Sequence, residues 1–72
     1  MMLTFNLYLL TVANAMREHK DWRAGQTYFN ILFEVRPKLA SEIRGCPFDP
    51  YYSDSEIPDF LAHVAIHWER GD

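Results

Sequence analysis

The sequence is short of cross-linking chemistry. Cys46 is the lone cysteine in 72 residues, which excludes an intrachain disulfide and a four-thiolate zinc site. Glycine is equally sparse, and Gly25, Gly45 and Gly71 are too scattered to form a glycine-rich phosphate cradle. No long hydrophobic run is present. The apolar stretch Leu3 to Ala13 is broken by Thr4 and Asn6, and it falls well short of the roughly 20 residues a bilayer requires. Ala13-Asn14-Ala15 has the form of a signal-peptidase site, but Met1 to Thr4 carries no positive charge ahead of it. A secretory leader is therefore not expected, and the chain reads as cytoplasmic. Cations are also in deficit: seven Lys and Arg stand against ten Asp and Glu, for a net charge of −3. That balance is poor for a general nucleic-acid binder, which needs several cations facing the phosphates.

Apolar and aromatic residues are abundant by contrast. Hydrophobic residues make up 49% of the chain and aromatics 15%, with Trp22, Trp68, five Phe and four Tyr. A disordered chain at this modest charge would be far less apolar. Seventy-two residues support one domain, read here as residues 1–72. A chain of this length buries only about 60% of its unfolded surface. The supplement is either the aromatic density or self-association, which covers apolar surface that a monomer leaves bare. Charge is unevenly spread: residues 1–45 hold six cations and four carboxylates, a net of +2, and residues 46–72 hold one cation and six carboxylates, a net of −5. The basic first part is expected to face the acidic second part.

The periodicity predicts four helical segments. From about Thr4 to Glu18, Phe5, Leu9, Val12 and Met16 recur at i, i+4, i+7 and i+11, widened by Leu7, Leu10 and Ala13. Such breadth implies a helix that is central or covered on a second side by another chain. His19-Lys20-Asp21 breaks it, and Asp21 is the expected N-cap of a second helix with Trp22 to Gly25 as its first turn. Tyr28, Ile31, Leu32 and Val35 form its inward face. Pro37 ends this helix and opens a short third one, Pro37 to Arg44, with Leu39, Ala40 and Ile43 inward and Gly45 in left-handed geometry after it. Cys46 to Ser53 holds two prolines in a helix-incompatible segment, and its Phe48, Tyr51 and Tyr52 are expected to pack onto the helices. The last helix opens at Asp54 or Ser55, accommodates Pro58 in its first turn, and runs to about Arg70. Ile57, Phe60, Leu61, Val64, Ala65 and Trp68 mark its inner face.

Four polar groupings invite a chemical reading. Asp59, His63 and His67 follow at i, i+4 and i+8, and two histidines so spaced are weak metal candidates. The glutamate of H-E-x-x-H is missing, because Val64 follows His63, so the expectation is no metal and no cofactor. Cys46 follows a helix C-terminus, where the dipole disfavours a thiolate, and reads as a packed thiol. Arg36, Arg44 and Asp49 form a polar set in which Asp49 is expected to accept bonds from an arginine and pin the loop; the functional alternative is a site for a partner's anionic group. Gln26 and Asn30 share a stripe on the second helix and can bond to each other, to the aromatic loop or to a partner. Trp22, Arg23, Phe29 and Phe33 fall partly outside the inward stripe. These are the residue types that dominate binding hot spots, although in so small a domain they can also extend the core.

The runs Asp21-Trp22-Arg23-Ala24-Gly25-Gln26-Thr27-Tyr28-Phe29-Asn30, Val35-Arg36-Pro37-Lys38-Leu39-Ala40, Ile43-Arg44-Gly45, Asp49-Pro50-Tyr51-Tyr52 and Ile57-Pro58-Asp59-Phe60-Leu61 carry a resemblance. The chain is similar to a group of short proteins, often from bacteriophages, with the pattern W-R-x-G-Q-x-x-F-N, R-P-x-L-A, R-G-x-x-x-D-P-[FY]-Y and F-L. The resemblance spans about residues 21–61 and implies a phage or prophage setting, with no catalytic residues. Cys46 stands where that group usually has threonine after Arg-Gly.

The sequence thus reads as an all-α protein, a compact small bundle of three longer helices and one short helix with a packed aromatic loop. Its expected role is non-catalytic: a protein-protein interaction module of phage accessory or regulatory type. The expected partner patch is Trp22, Arg23, Gln26, Asn30 and Phe33, and a homodimer through the first helix is a linked expectation. The alternative is a small nucleic-acid-binding protein using Arg17, Lys20, Arg23 and Lys38.

Overall fold

A computed structural model describes residues 4–68. Its elements run in the order α1 (Phe5–Glu18), α2 (Ala24–Val35), α3 (Pro37–Ile43), a 3-10 turn (Asp54–Glu56) and α4 (Ile57–His67). Among the described residues there is no strand. The fold is a small all-α bundle with a Cα radius of gyration of 11.2 Å, about what a compact chain of this length has.

Helix boundaries follow local chemistry at most ends. The Thr4 hydroxyl accepts the Leu7 amide at 3.1 Å and caps α1. Pro37 occupies the first turn of α3, where its missing N–H would have no intrahelical partner. Gly45 follows α3 at φ 80°, a left-handed geometry that a side chain disfavours. Ile43, one residue earlier than expected, closes α3. The expected extension of α4 to Arg70 lies outside the described residues.

The start of α2 differs from the sequence reading. The helix begins at Ala24 with Arg23 as its cap residue, whose own side chain makes no capping bond. Asp21 and Trp22 belong to the connecting turn, closed by the Trp22 amide on the His19 carbonyl at 3.0 Å. The capping carboxylate arrives from 29 residues further along the chain: Asp54 Oδ1 accepts the Gly25 amide at 2.9 Å. A distant carboxylate thereby does what a local one was expected to do.

The core draws on every helix. Tyr8, Val12 and Ala15 of α1 meet Phe29, Ile31 and Leu32 of α2, with Leu39, Ala40 and Ile43 of α3 and Phe60 and Val64 of α4. Trp68 completes it and packs against α1, its ring edge-on to Phe5 at 5.7 Å and tilted against Tyr8 at 5.3 Å. Tyr28 of α2 meets Phe60 of α4 edge-on at 6.3 Å. Tyr8 is fully buried and its hydroxyl donates to the Tyr28 carbonyl at 2.7 Å. Burial drives that phenol well above the usual tyrosine range, and charge on Tyr28 adds to the effect.

Two expected faces are corrected. On α1, Val12 is buried and Phe5, Leu9 and Met16 pack at the core's margin, but Leu7 and Leu10 are 44% and 61% exposed. The helix is therefore not central within one chain. On α2 the inward face includes Phe29, only 4% exposed, while Tyr28 and Val35 are half-buried. Phe29 is covered because the loop folds over that side, with the Tyr51 ring edge-on at 5.9 Å. On α4, Ile57 and Leu61 are partly buried and Ala65 faces outward.

Candidate binding groove

The segment 46–53 folds as a chain of tight turns. The Cys46 amide donates to Ile43 at 2.8 Å, the Asp49 amide to Cys46 at 3.0 Å and the Ser53 amide to Pro50 at 3.2 Å, all on carbonyls. Asp49 holds the middle. One carboxylate oxygen accepts the Gly45 amide at 2.8 Å and the other accepts the Tyr51 amide at 2.9 Å. Asp49 pins the loop as expected from sequence, but through backbone amides and not through an arginine.

Three contacts press residues 51–54 onto the start of α2. The Arg23 guanidinium donates to the Tyr51 carbonyl, Gln26 donates its amide to the Tyr51 hydroxyl at 3.4 Å, and Arg23 Nε lies 3.7 Å from Asp54. That ion pair is about half exposed on both sides and contributes no more than about 1 kcal/mol. The capping bond to Gly25 is of similar size, about 1 kcal/mol. The two backbones approach so closely that a Cβ on Gly25 would stand 2.1 Å from the Pro50 carbonyl oxygen. Pro50 itself is fully buried.

A groove of about 610 Å³ lies beside this seam. One wall is α2, through Phe29, Asn30, Phe33 and Glu34; the other is the loop, through Asp49, Tyr51 and Tyr52, with Trp22 and Arg44 at its margins. Phe33 is 40% exposed and Tyr52 is 84% exposed. The Tyr51 and Tyr52 rings meet edge to face at 4.8 Å and 68°. Trp22 is braced by His19, whose ring stacks on it at 3.8 Å and 7°. The Arg44 guanidinium lies over Phe33 at 5.1 Å and Phe29 at 5.8 Å, an arrangement worth roughly 0.5–1 kcal/mol at an exposed site.

The expected partner patch is thus divided. Trp22, Asn30 and Phe33 line the groove, while Arg23 and Gln26 are occupied in holding the loop that forms its far wall. The Arg36, Arg44 and Asp49 set is divided as well. Arg36 is buried with its guanidinium 4.4 Å from the Trp68 ring centre, whereas Arg44 and Asp49 share the groove. Tyr51, Tyr52 and Glu34 also line it and were not singled out as binding residues; the aromatic density of the loop was the available signal. Of the four cations in the nucleic-acid alternative, Arg23 is engaged by Tyr51 and Asp54.

The remaining chemical candidates lie elsewhere. His63 and His67 are neighbours, with ring centres 4.2 Å apart and Phe48 at 4.8 Å from His63. Asp59 is exposed one turn earlier. Among the described residues no group of three His, Cys, Asp or Glu is placed to hold a metal ion. Cys46 is partly buried and its thiol donates to the Glu42 carbonyl at 3.1 Å. Among the described residues no helix is long and apolar enough to cross a membrane. No protein-family model, curated protein or solved structure matches this chain.

Proposed function

We propose that the chain is a small non-catalytic protein-protein interaction module that binds its partner in the groove between α2 and the 46–53 loop. The observation that carries this reading is the exposure of Phe33 and Tyr52 at the mouth of an aromatic groove. Aromatic rings left in water beside a rigid concave wall are the raw material of binding hot spots. The motif pattern of residues 21–61 supports a phage accessory or regulatory role, acting on a host or phage protein in the bacterial cytoplasm. The test is affinity capture from a bacterial lysate with the wild-type chain beside Tyr52→Ala and Asn30→Ala. A protein retained by the wild type and lost from both folded variants supports the reading; identical capture by all three speaks against the groove.

A homodimer through α1 is a linked proposal, supported by the exposed Leu7 and Leu10 on the outer side of that helix. Pairing two such faces would remove apolar area that one chain leaves in water. Light scattering at micromolar concentration should give a dimer mass that Leu10→Lys reduces to a monomer. A monomer mass for the wild type ends the proposal.

A further inference from the structure

We propose that the groove receives a short extended segment of a partner protein in which a carboxylate side chain adjoins an aromatic one. The carboxylate meets Arg44, and the ring lies against Phe33 and Tyr52. This deepens the interaction reading and rests on it.

Arg44 is the sole cation among the groove-lining residues. Its guanidinium is laid over two rings of α2, and among the described residues no carboxylate stands within 4.0 Å of its nitrogens. Its N–H donors form the planar fork that fits a carboxylate. Asp49, in the same groove, holds the loop through two backbone amides and makes no ion pair with Arg44 within 4.0 Å.

The apolar half of the site is equally formed. Phe33 and Tyr52 each offer ring surface to solvent, and the Tyr52 ring is held against Tyr51 at 4.8 Å. The charge pattern also selects the class of partner. A nucleic-acid strand would lay successive phosphates along a wall containing Glu34 and Asp49, where each meets a like charge. A single carboxylate placed at Arg44 brings one negative charge to that wall, where a strand brings several.

The experiment titrates blocked hexapeptides into the ¹⁵N-labelled full chain and follows the Trp22 indole and the Phe33 and Tyr52 amides by NMR. A peptide with a central glutamate–phenylalanine pair should shift these resonances saturably. Replacing its glutamate by glutamine should weaken binding about tenfold, the size of one charge-assisted hydrogen-bonded contact. Arg44→Gln should abolish the difference in affinity between the acidic and the neutral peptide, with Arg44→Lys between them. The dispersion of the variant's amide spectrum certifies that it is folded. Equal binding of acidic and neutral peptides to the wild type overturns the carboxylate assignment but leaves a protein-binding groove in place. A single-stranded oligonucleotide that shifts the same resonances more strongly than the peptide overturns it in favour of nucleic acid. No shift with any peptide also overturns it, and the affinity capture with Tyr52→Ala then decides the interaction reading separately.

Discussion

The Asp54 carboxylate accepts the backbone amide of Gly25 at 2.9 Å, across 29 residues of chain. Helix N-termini usually take a cap from the residue that begins them. Here Arg23 occupies that position without a capping bond, and the first turn of α2 depends on a residue at the entrance to α4. Asp54→Ala should therefore lower stability by about 1 kcal/mol. Asp54→Asn keeps an acceptor oxygen and should recover most of the loss. Urea denaturation of the three proteins checks this, and equal loss in both variants would place the effect in the ion pair with Arg23 instead.

Gly25→Ala sets two effects of opposite sign against each other. Alanine favours a helix over glycine by about 1 kcal/mol. The added methyl would meet the Pro50 carbonyl at 2.1 Å and the Asp54 carboxylate at 2.9 Å, and backbone cannot step aside cheaply. The contact should win, with a net loss of about 1–3 kcal/mol. A variant as stable as the wild type in thermal or urea melts contradicts the close approach.

Asp49→Ala removes the acceptors of two amides and should cost about 1–2 kcal/mol. The effect should be local as well as global. Amide hydrogen exchange at Gly45 and Tyr51 should accelerate more than at Ile43 of the neighbouring helix. Uniform acceleration would mean that Asp49 contributes only to overall stability.

Alkaline stability should depend on Tyr8. Its phenol is pushed up by burial in the folded chain, whereas an unfolded tyrosine ionises near pH 10. The neutral phenol's contribution is fully present below about pH 10 and is lost as pH rises beyond it. Tyr8→Phe should cost about 0.5–1.5 kcal/mol near neutrality, the worth of the bond to Tyr28. It should also flatten the fall in stability at alkaline pH, read from urea midpoints at stepped pH.

The features legible in the sequence are those whose causes lie close along the chain. Pro37 and Gly45 mark the two ends of α3 through their own backbone preferences, and Phe60, Val64 and Trp68 carry the inner face of α4 at helical spacing. The packing of the aromatic loop was also legible, although Tyr52 points to solvent while Phe48 and Tyr51 are partly buried. What could not be read depends on partners far along the chain. Asp21 was the local candidate to cap α2, and nothing in its neighbourhood indicates that Asp54 takes the role. Phe29 sits off the stripe of Tyr28, Ile31, Leu32 and Val35, and is core with the Tyr51 ring and the Arg44 guanidinium against it. Tyr8 is polar enough to be passed over, yet the Tyr28 carbonyl satisfies its hydroxyl and allows full burial. The groove follows the same logic: Trp22, Asn30 and Phe33 were legible on one wall, and Arg44 joins them only once α3 has turned back on α2.

The seam between Gly25 and Asp54 also bears on how the chain acquires its structure. The segment that completes the start of α2 is among the later parts of the sequence, so α1 to α3 form an unfinished scaffold until it returns. Closing so long a loop before its contacts are rewarded slows folding relative to a bundle with neighbour-only contacts. It also couples the beginning of one helix to the approach to another. Severed within 46–53, one fragment would carry the Gly25 amide and the other the Asp54 carboxylate that caps it.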